Sequence, residues 1–160
     1  MRIYVLRHGI AEDAPPGGSD AARALTQEGK KKLHAVLECA RRAGVHPDVI
    51  LTSTLKRAVE TAEIAAAVLG VQNQSIRTAA LAPSGSTDRV WKEIRAHKAE
   101  GILLAGHEPL LSTVVAFLLG CPALQVRMKK AALVSIEVET TEAQPKGTLL
   151  WMLTPKLTGQ

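Results

Sequence analysis

Three short stretches of the chain place chemically versatile side chains beside glycine or a helix start: Arg7-His8-Gly9, Ser53-Thr54-Leu55-Lys56-Arg57, and Gly106-His107-Glu108-Pro109. An imidazole with a free ring nitrogen can attack phosphorus, and Gly9 lets backbone or ligand approach His8 closely. Arg57 falls near the beginning of an expected helix, where free amides and the helix dipole already favour anions. His107 stands at a third such point and could meet the same ligand. Phosphoryl transfer asks chiefly for in-line positioning and for compensation of charge on the equatorial oxygens, and two guanidiniums supply planar donor forks for that task.

Each stretch comes after an apolar run that reads as a buried strand: Ile3 to Leu6, Val49 to Leu51 and Ile102 to Ala105. Helical spacing separates them. Thr26 can cap a helix carrying Leu33, Val36, Leu37 and Ala40 that ends at Gly44, and an Ala-rich helix carries Ala58, Ala62, Ala65 and Leu69 to Gly70. Ser75 to Ala79 is a weaker strand. Thr87 or Asp88 can cap a helix with Val90 and Ile94, and Pro109 suits the first turn of a helix running to Gly120. The tail alternates at Ala132, Val134, Ile136 and Val138, and Leu149 to Leu153 can return antiparallel. The alternation predicts an α/β fold: a three-layer domain with a largely parallel central sheet flanked by helices and an antiparallel C-terminal strand. Such sheets bind ligands at the carboxyl ends of their strands, where the three stretches fall.

With 160 residues, the expectation is a single domain over 1–160. Apolar residues at 46% and charged residues at 22% exclude wholesale disorder and collagen-like sequence. A net charge of +5 favours anionic partners, but Tyr4, Trp91, Phe117 and Trp151 offer no interleaved stacking platform, so no nucleic acid is expected. Cys39 and Cys121 stand apart and read as buried, reduced thiols. No His-rich or clustered carboxylate spacing suggests a metal, and no cofactor is expected. The uncharged stretch from Pro109 to Gln125 falls short of a membrane span, so a cytoplasmic protein without membrane contact is expected. His34, His46 and His97 read as surface or packing residues, and Lys30-Lys31-Lys32 as a hydrated helix face.

Over nearly its whole length the sequence resembles the histidine phosphatase superfamily, with Arg7-His8-Gly9 as the signature and the Arg57 and His107 segments as its other characteristic pieces. Its small size, the Asp20-x-x-Arg23-x-Leu25-Thr26-x-x-Gly29 segment and the Leu149 to Lys156 tail look most like SixA-type phosphohistidine phosphatases. The resemblance implies that His8 is transiently phosphorylated while Arg7, Arg57 and His107 surround the phosphoryl group. It also implies a folded protein substrate carrying phosphohistidine, such as a histidine phosphotransfer domain or a phosphocarrier. Thr54 and Ile10 depart from common family forms, where proline and an acidic residue are frequent; neither change removes a phosphate ligand.

Longer members of the superfamily carry an acid that protonates an alcohol leaving group. Here the comparable segment, residues 81–88, is brief and holds only Asp88. Imidazole can leave neutral when its other nitrogen bears a proton, so phosphohistidine fits the sparse acid supply, although Glu12, Asp88 or Glu108 could still reach the leaving group. Asp20 and Arg23 form either an ordinary loop ion pair or a substrate-binding element, and Ser53 either a turn residue or a support for the site. Lys56, Arg23, Lys129 and Lys130 could add a basic field. His8 must be unprotonated to attack, whereas His107 would serve better as an imidazolium donor, so their titrations should be separated. The expected enzyme is a metal-independent, monomeric hydrolase. The alternatives are a small-molecule phosphomonoesterase and a non-catalytic phosphate-binding module.

Overall fold

The computed structural model describes residues 1–71, 75–139 and 143–160. Strands β1 (Arg2–Arg7), β2 (Val49–Thr52), β3 (Ile76–Arg77), β4 (Gly101–Gly106), β5 (Leu133–Val138) and β6 (Gly147–Leu153) form one sheet in the order β3-β2-β4-β1-β5-β6. The first four run parallel; β5 pairs antiparallel with both β1 and β6. The strand that runs against the rest is therefore β5, and β6 restores the common direction. The sequence predicts a strand from Ser75 to Ala79, but only Ile76 and Arg77 pair, as an exposed edge.

Because successive strand residues point to opposite faces, the apolar runs feed two cores. Ile3, Val5, Ile102 and Leu104 face one side, covered by α3 (Thr87–Ala96) and α4 (Leu110–Leu118) through Val90, Trp91, Leu111 and Val114. Tyr4, Leu6, Leu103 and Ala105 face the other, covered by α1 (Gln27–Arg42) and α2 (Lys56–Leu69) through Leu33, Leu37, Ala62 and Ala65. These are the three layers that the alternation predicts. Each fully buried leucine contributes about 2 kcal/mol of transfer free energy, which holds the helices against the sheet.

Helix ends obey local chemistry. The Thr26 hydroxyl accepts the Gly29 amide, and Gly70 ends α2 in the left-handed region at φ 70°. Helix α3 is capped by Ser86, whose hydroxyl accepts from the Arg89 amide, rather than by Thr87 or Asp88. Serine lies one residue earlier in extended backbone, leaving Thr87 in the first turn. Pro109 occupies the N-cap of α4 instead of its first helical position. Cys39 is only half-buried and Cys121 is exposed, against the expectation of two buried thiols. The turn at Gly120 (φ 65°) carries the chain out of α4 to the surface at that cysteine. Among the described residues no helix is long and apolar enough to cross a membrane.

Strand register aligns the three chemically versatile stretches. Arg7 pairs with Gly106 and Thr52 with Ala105, so β2, β4 and β1 end side by side. His8, Ser53 and His107 each lie one residue beyond those ends.

Candidate active site

Backbone bonds extend the parallel ladder by a step: the His8 amide donates to Gly106 and the Ser53 amide to Ala105, both at 3.0 Å. The His8 and His107 rings consequently stand 5.1 Å apart, centroid to centroid, and are only 6% and 3% exposed. His8 Nδ1 lies 2.7 Å from the Gly9 carbonyl oxygen, which can only accept, so Nδ1 carries the proton and Nε2 keeps its lone pair. His107 Nε2 lies 2.7 Å from Ser53 Oγ, which already accepts the Leu55 amide at 3.3 Å. The network closes if the serine hydroxyl donates to Nε2, and that leaves the His107 proton on Nδ1.

The two arginines converge on the same place. Arg57, 6% exposed, sits in the first turn of α2 with its guanidinium gripped by one residue. Nη1 donates to the Asp20 carbonyl at 2.9 Å and Nη2 to the Asp20 carboxylate at 3.1 Å. Arg7 Nη1 donates to the Met128 carbonyl at 2.7 Å. Among the described residues five buried side-chain polar atoms have no hydrogen-bond partner; Arg2 Nε and Ser135 Oγ lie elsewhere, and Arg7 Nε, Arg57 Nε and His107 Nδ1 belong to this cluster. A buried donor left unpaired costs roughly 1–3 kcal/mol, so three at one strand edge constitute a site built for an acceptor-rich anion.

The structure brings Arg7, His8, Ser53, Arg57 and His107 together and places Asp20 in ion pairs with both Arg57 and Arg23. Arg23 joins only indirectly, through Asp20 Oδ1 at 3.0 Å and the Glu12 carbonyl at 2.7 Å. Of the carboxylates that could serve a leaving group, Glu108 alone is tied to this edge. It lines a cleft with Arg7, and its Oε1 accepts the Ser112 amide at the start of α4. Asp88 and Glu12 are exposed.

Several supporting residues leave little trace in the sequence. The fully buried Thr61 hydroxyl accepts the Gly9 amide at 3.2 Å and donates to the Arg57 carbonyl at 2.7 Å, joining both halves of the site. Glu60, whose sequence position suggests a partner for Arg57, instead accepts the Leu25 amide at 2.7 Å. Ala131 holds φ 61° while its amide bonds the His8 carbonyl at 3.1 Å; an L-residue there stores roughly 1–2 kcal/mol of strain. Gly29 approaches the backbone of Ile10 so closely that a side chain would collide with it, which explains the glycine in the Asp20-to-Gly29 segment. Only the Thr61 spacing, one helical turn after Arg57, is a signal that the sequence carries.

Burial first, then His107, Arg57 and Arg7, push His8 down to about 3, against the Gly9 hydrogen bond, which acts in the opposite sense. His107 is pushed to about 4 by burial, then Arg57 and Arg7, with Asp20 opposing. Both imidazoles are neutral near pH 7. The expected imidazolium at His107 is thus corrected, because desolvation and two guanidiniums outweigh the single exposed carboxylate. A neutral His107 still donates through Nδ1–H. The arrangement offers an attacking lone pair, two fixed positive charges and an uncharged donor, which suits a phosphoryl group. Among the described residues no cluster of His, Cys, Asp and Glu could hold a metal ion.

Comparison with known proteins places this geometry. The model of the histidine phosphatase superfamily (branch 1) matches residues 3–80. The phosphohistidine phosphatase SixA of Escherichia coli is 28% identical over 97% of this chain and 94% of its own. An uncharacterized protein of Picosynechococcus is 34% identical over 98% of both chains. The solved structure of the protein histidine phosphatase SixA complexed with tungstate superposes with a TM-score of 0.86 at 26% identity, over 98% of this chain and 99% of that one. The chain belongs to the histidine phosphatase superfamily. Within it the chain is of SixA type, and it is a phosphatase. The fold alone extends further, to a mycobacterial glucosyl-3-phosphoglycerate phosphatase with a TM-score of 0.68, 17% identity, and 94% and 98% coverage.

Proposed function

We propose that this superfamily member removes phosphate from phosphohistidine in a protein, through a covalent phosphoenzyme on His8. The observation that carries the reading is His8, its Nε2 lone pair free, 5.1 Å from the His107 ring and within the field of Arg7 and Arg57, with a buried donor of each of these three residues lacking a hydrogen-bond partner among the described residues. In the first step Nε2 attacks phosphorus and the bond from phosphorus to the substrate imidazole breaks, while Arg7 and Arg57 compensate charge on the equatorial oxygens. In the second, water attacks the phosphohistidine, phosphate leaves, and the lone pair returns to Nε2. Imidazole departs neutral when its far nitrogen is protonated, so the short segment before α3 need supply no acid. Similarity to SixA supports the substrate, and the complex of that protein with tungstate, a tetrahedral oxyanion, supports the site.

A second reading, a small-molecule phosphomonoesterase, rests on Glu108, a carboxylic side chain beside Arg7 that could protonate an alcohol. Turnover of a phosphohistidine protein is therefore compared with turnover of sugar phosphates and an aryl phosphate. Preference for the phosphoramidate, with an acid-labile adduct in the wild type and none in His8→Ala, supports the proposal. Preference for esters replaces it with the second reading. Tight phosphate binding with neither product nor adduct leaves a binding module. The enzyme is proposed to act as a cytoplasmic monomer without a metal, and full turnover in a strong chelator checks the last point.

A further inference from the structure

A groove of about 590 Å³ shares Arg7 with the site but is lined by neither of its histidines; Ile10, Lys32, Lys129, Lys130, Pro155 and Lys156 form much of its wall. Its cations come from three separate parts of the chain: α1, the connection from α4 to β5, and the turn after β6. Lys32 pairs with Glu28 at 2.7 Å; Lys129, Lys130 and Lys156 have no ion pair among the described residues, and no acidic side chain lines the groove. Lys129 and Lys156 are exposed and Lys130 half-buried, over a floor that includes the buried Pro155.

The type of cation separates this groove from the phosphoryl pocket. The pocket uses arginines, one of them buried, with fixed planar forks; the groove uses lysines, mobile point charges on flexible stems that impose no geometry on their partner. Such charges suit carboxylates scattered over a protein surface, where they raise encounter rate and set orientation, more than they suit the stereochemistry of one small ligand. We propose that this groove docks an acidic stretch of the protein substrate flanking the phosphorylated side chain. The inference rests on the protein-phosphatase reading above and names the surface chemistry of its substrate.

The test uses two phosphohistidine peptides that differ only in flanks, four Glu against four Gln, and the same pair with phosphotyrosine as an ester. Wild type is compared with Lys129→Gln/Lys130→Gln/Lys156→Gln, all surface changes outside the phosphoryl pocket. The expected result is roughly ten-fold higher kcat/KM for the acidic peptide in wild type, expressed in KM and diminishing with salt, and abolished in the triple variant while an aryl phosphate is turned over as before. Equal turnover of acidic and neutral peptides by wild type overturns the groove. So does a variant that loses aryl phosphate turnover to the same degree, since the lysines would then serve the phosphoryl pocket. A preference for a sugar bisphosphate over its monophosphate, without any for acidic peptides, replaces the docked protein by a small ligand with two anionic groups. If only the ester peptides turn over but the acidic one is still preferred, the groove stands and the phosphohistidine reading falls.

Discussion

Acid should unfold this protein through its own active site. His8 and His107 are held neutral in the folded state at values pushed down to about 3 and about 4, against an ordinary 6.5. As the pH falls below 6.5 the unfolded chain takes up both protons before the folded one does, so the unfolded state gains and stability declines toward the folded values. At about pH 5 both folded histidines are still neutral. Each then costs the gap between 6.5 and 5, about 2 kcal/mol, giving about 4 kcal/mol together out of a typical 5–15. The carboxylates of Asp20, Glu28 and Glu38, pushed down by their cationic partners, surrender their stabilising effect only as the pH drops below their ordinary 3.8 to 4.5, and so contribute little at pH 5. Urea unfolding monitored by fluorescence of the buried Trp91 at pH 7.5 and pH 5 measures the difference. Wild type is expected to lose about 4 kcal/mol between the two, His8→Asn and His107→Asn about half of that, and the double variant almost none. An identical loss in wild type and double variant would refute the claim that burial, rather than some other titration, keeps these imidazoles neutral.

Three further outcomes are expected from particular contacts. Thr61→Val strands the Gly9 amide, so thermal unfolding should report a loss of roughly 1–3 kcal/mol together with a lower kcat, and an unchanged melting temperature would sink the role given to Thr61. Asp20 both positions Arg57 and repels an incoming phosphate. Asp20→Asn keeps an oxygen for Nη2 but removes the charge, and should tighten inhibition by inorganic phosphate about two- to five-fold, whereas Asp20→Ala should lower kcat roughly ten-fold; weaker inhibition in the asparagine variant contradicts this. Gly29→Ala should lower both stability and turnover despite a gain of about 1 kcal/mol in helix propensity, because the new methyl meets the Ile10 backbone; a more stable, fully active alanine variant would show that the loop yields.

What the sequence disclosed and what it hid divide along physical lines. The strands, helices and the convergence of Arg7, His8, Arg57 and His107 were legible because period-two and helical spacing report burial directly, and because strand ends in such sheets meet at one edge. Ser86 in place of Thr87 is the ordinary one-residue ambiguity among neighbouring capping hydroxyls. The grip of Asp20 on Arg57 spans 37 residues, and that of Arg7 on the Met128 carbonyl 121; neither leaves a local pattern. The neutrality of His107 was hidden because protonation depends on the summed field of a buried site, and residue types alone invite an imidazolium. Exposure of Cys121 depended on the turn at Gly120 rather than on the cysteine.

His8 and His107 owe their mutual placement to main-chain pairing between two adjacent central strands, not to the packing of neighbouring side chains. Substitutions that loosen either apolar layer should therefore lower the melting point long before they alter the spacing of the two rings. Such core variants would lose activity by losing folded molecules, each survivor working at full speed, and among them a folded but idle protein would need a slip of one strand past the other.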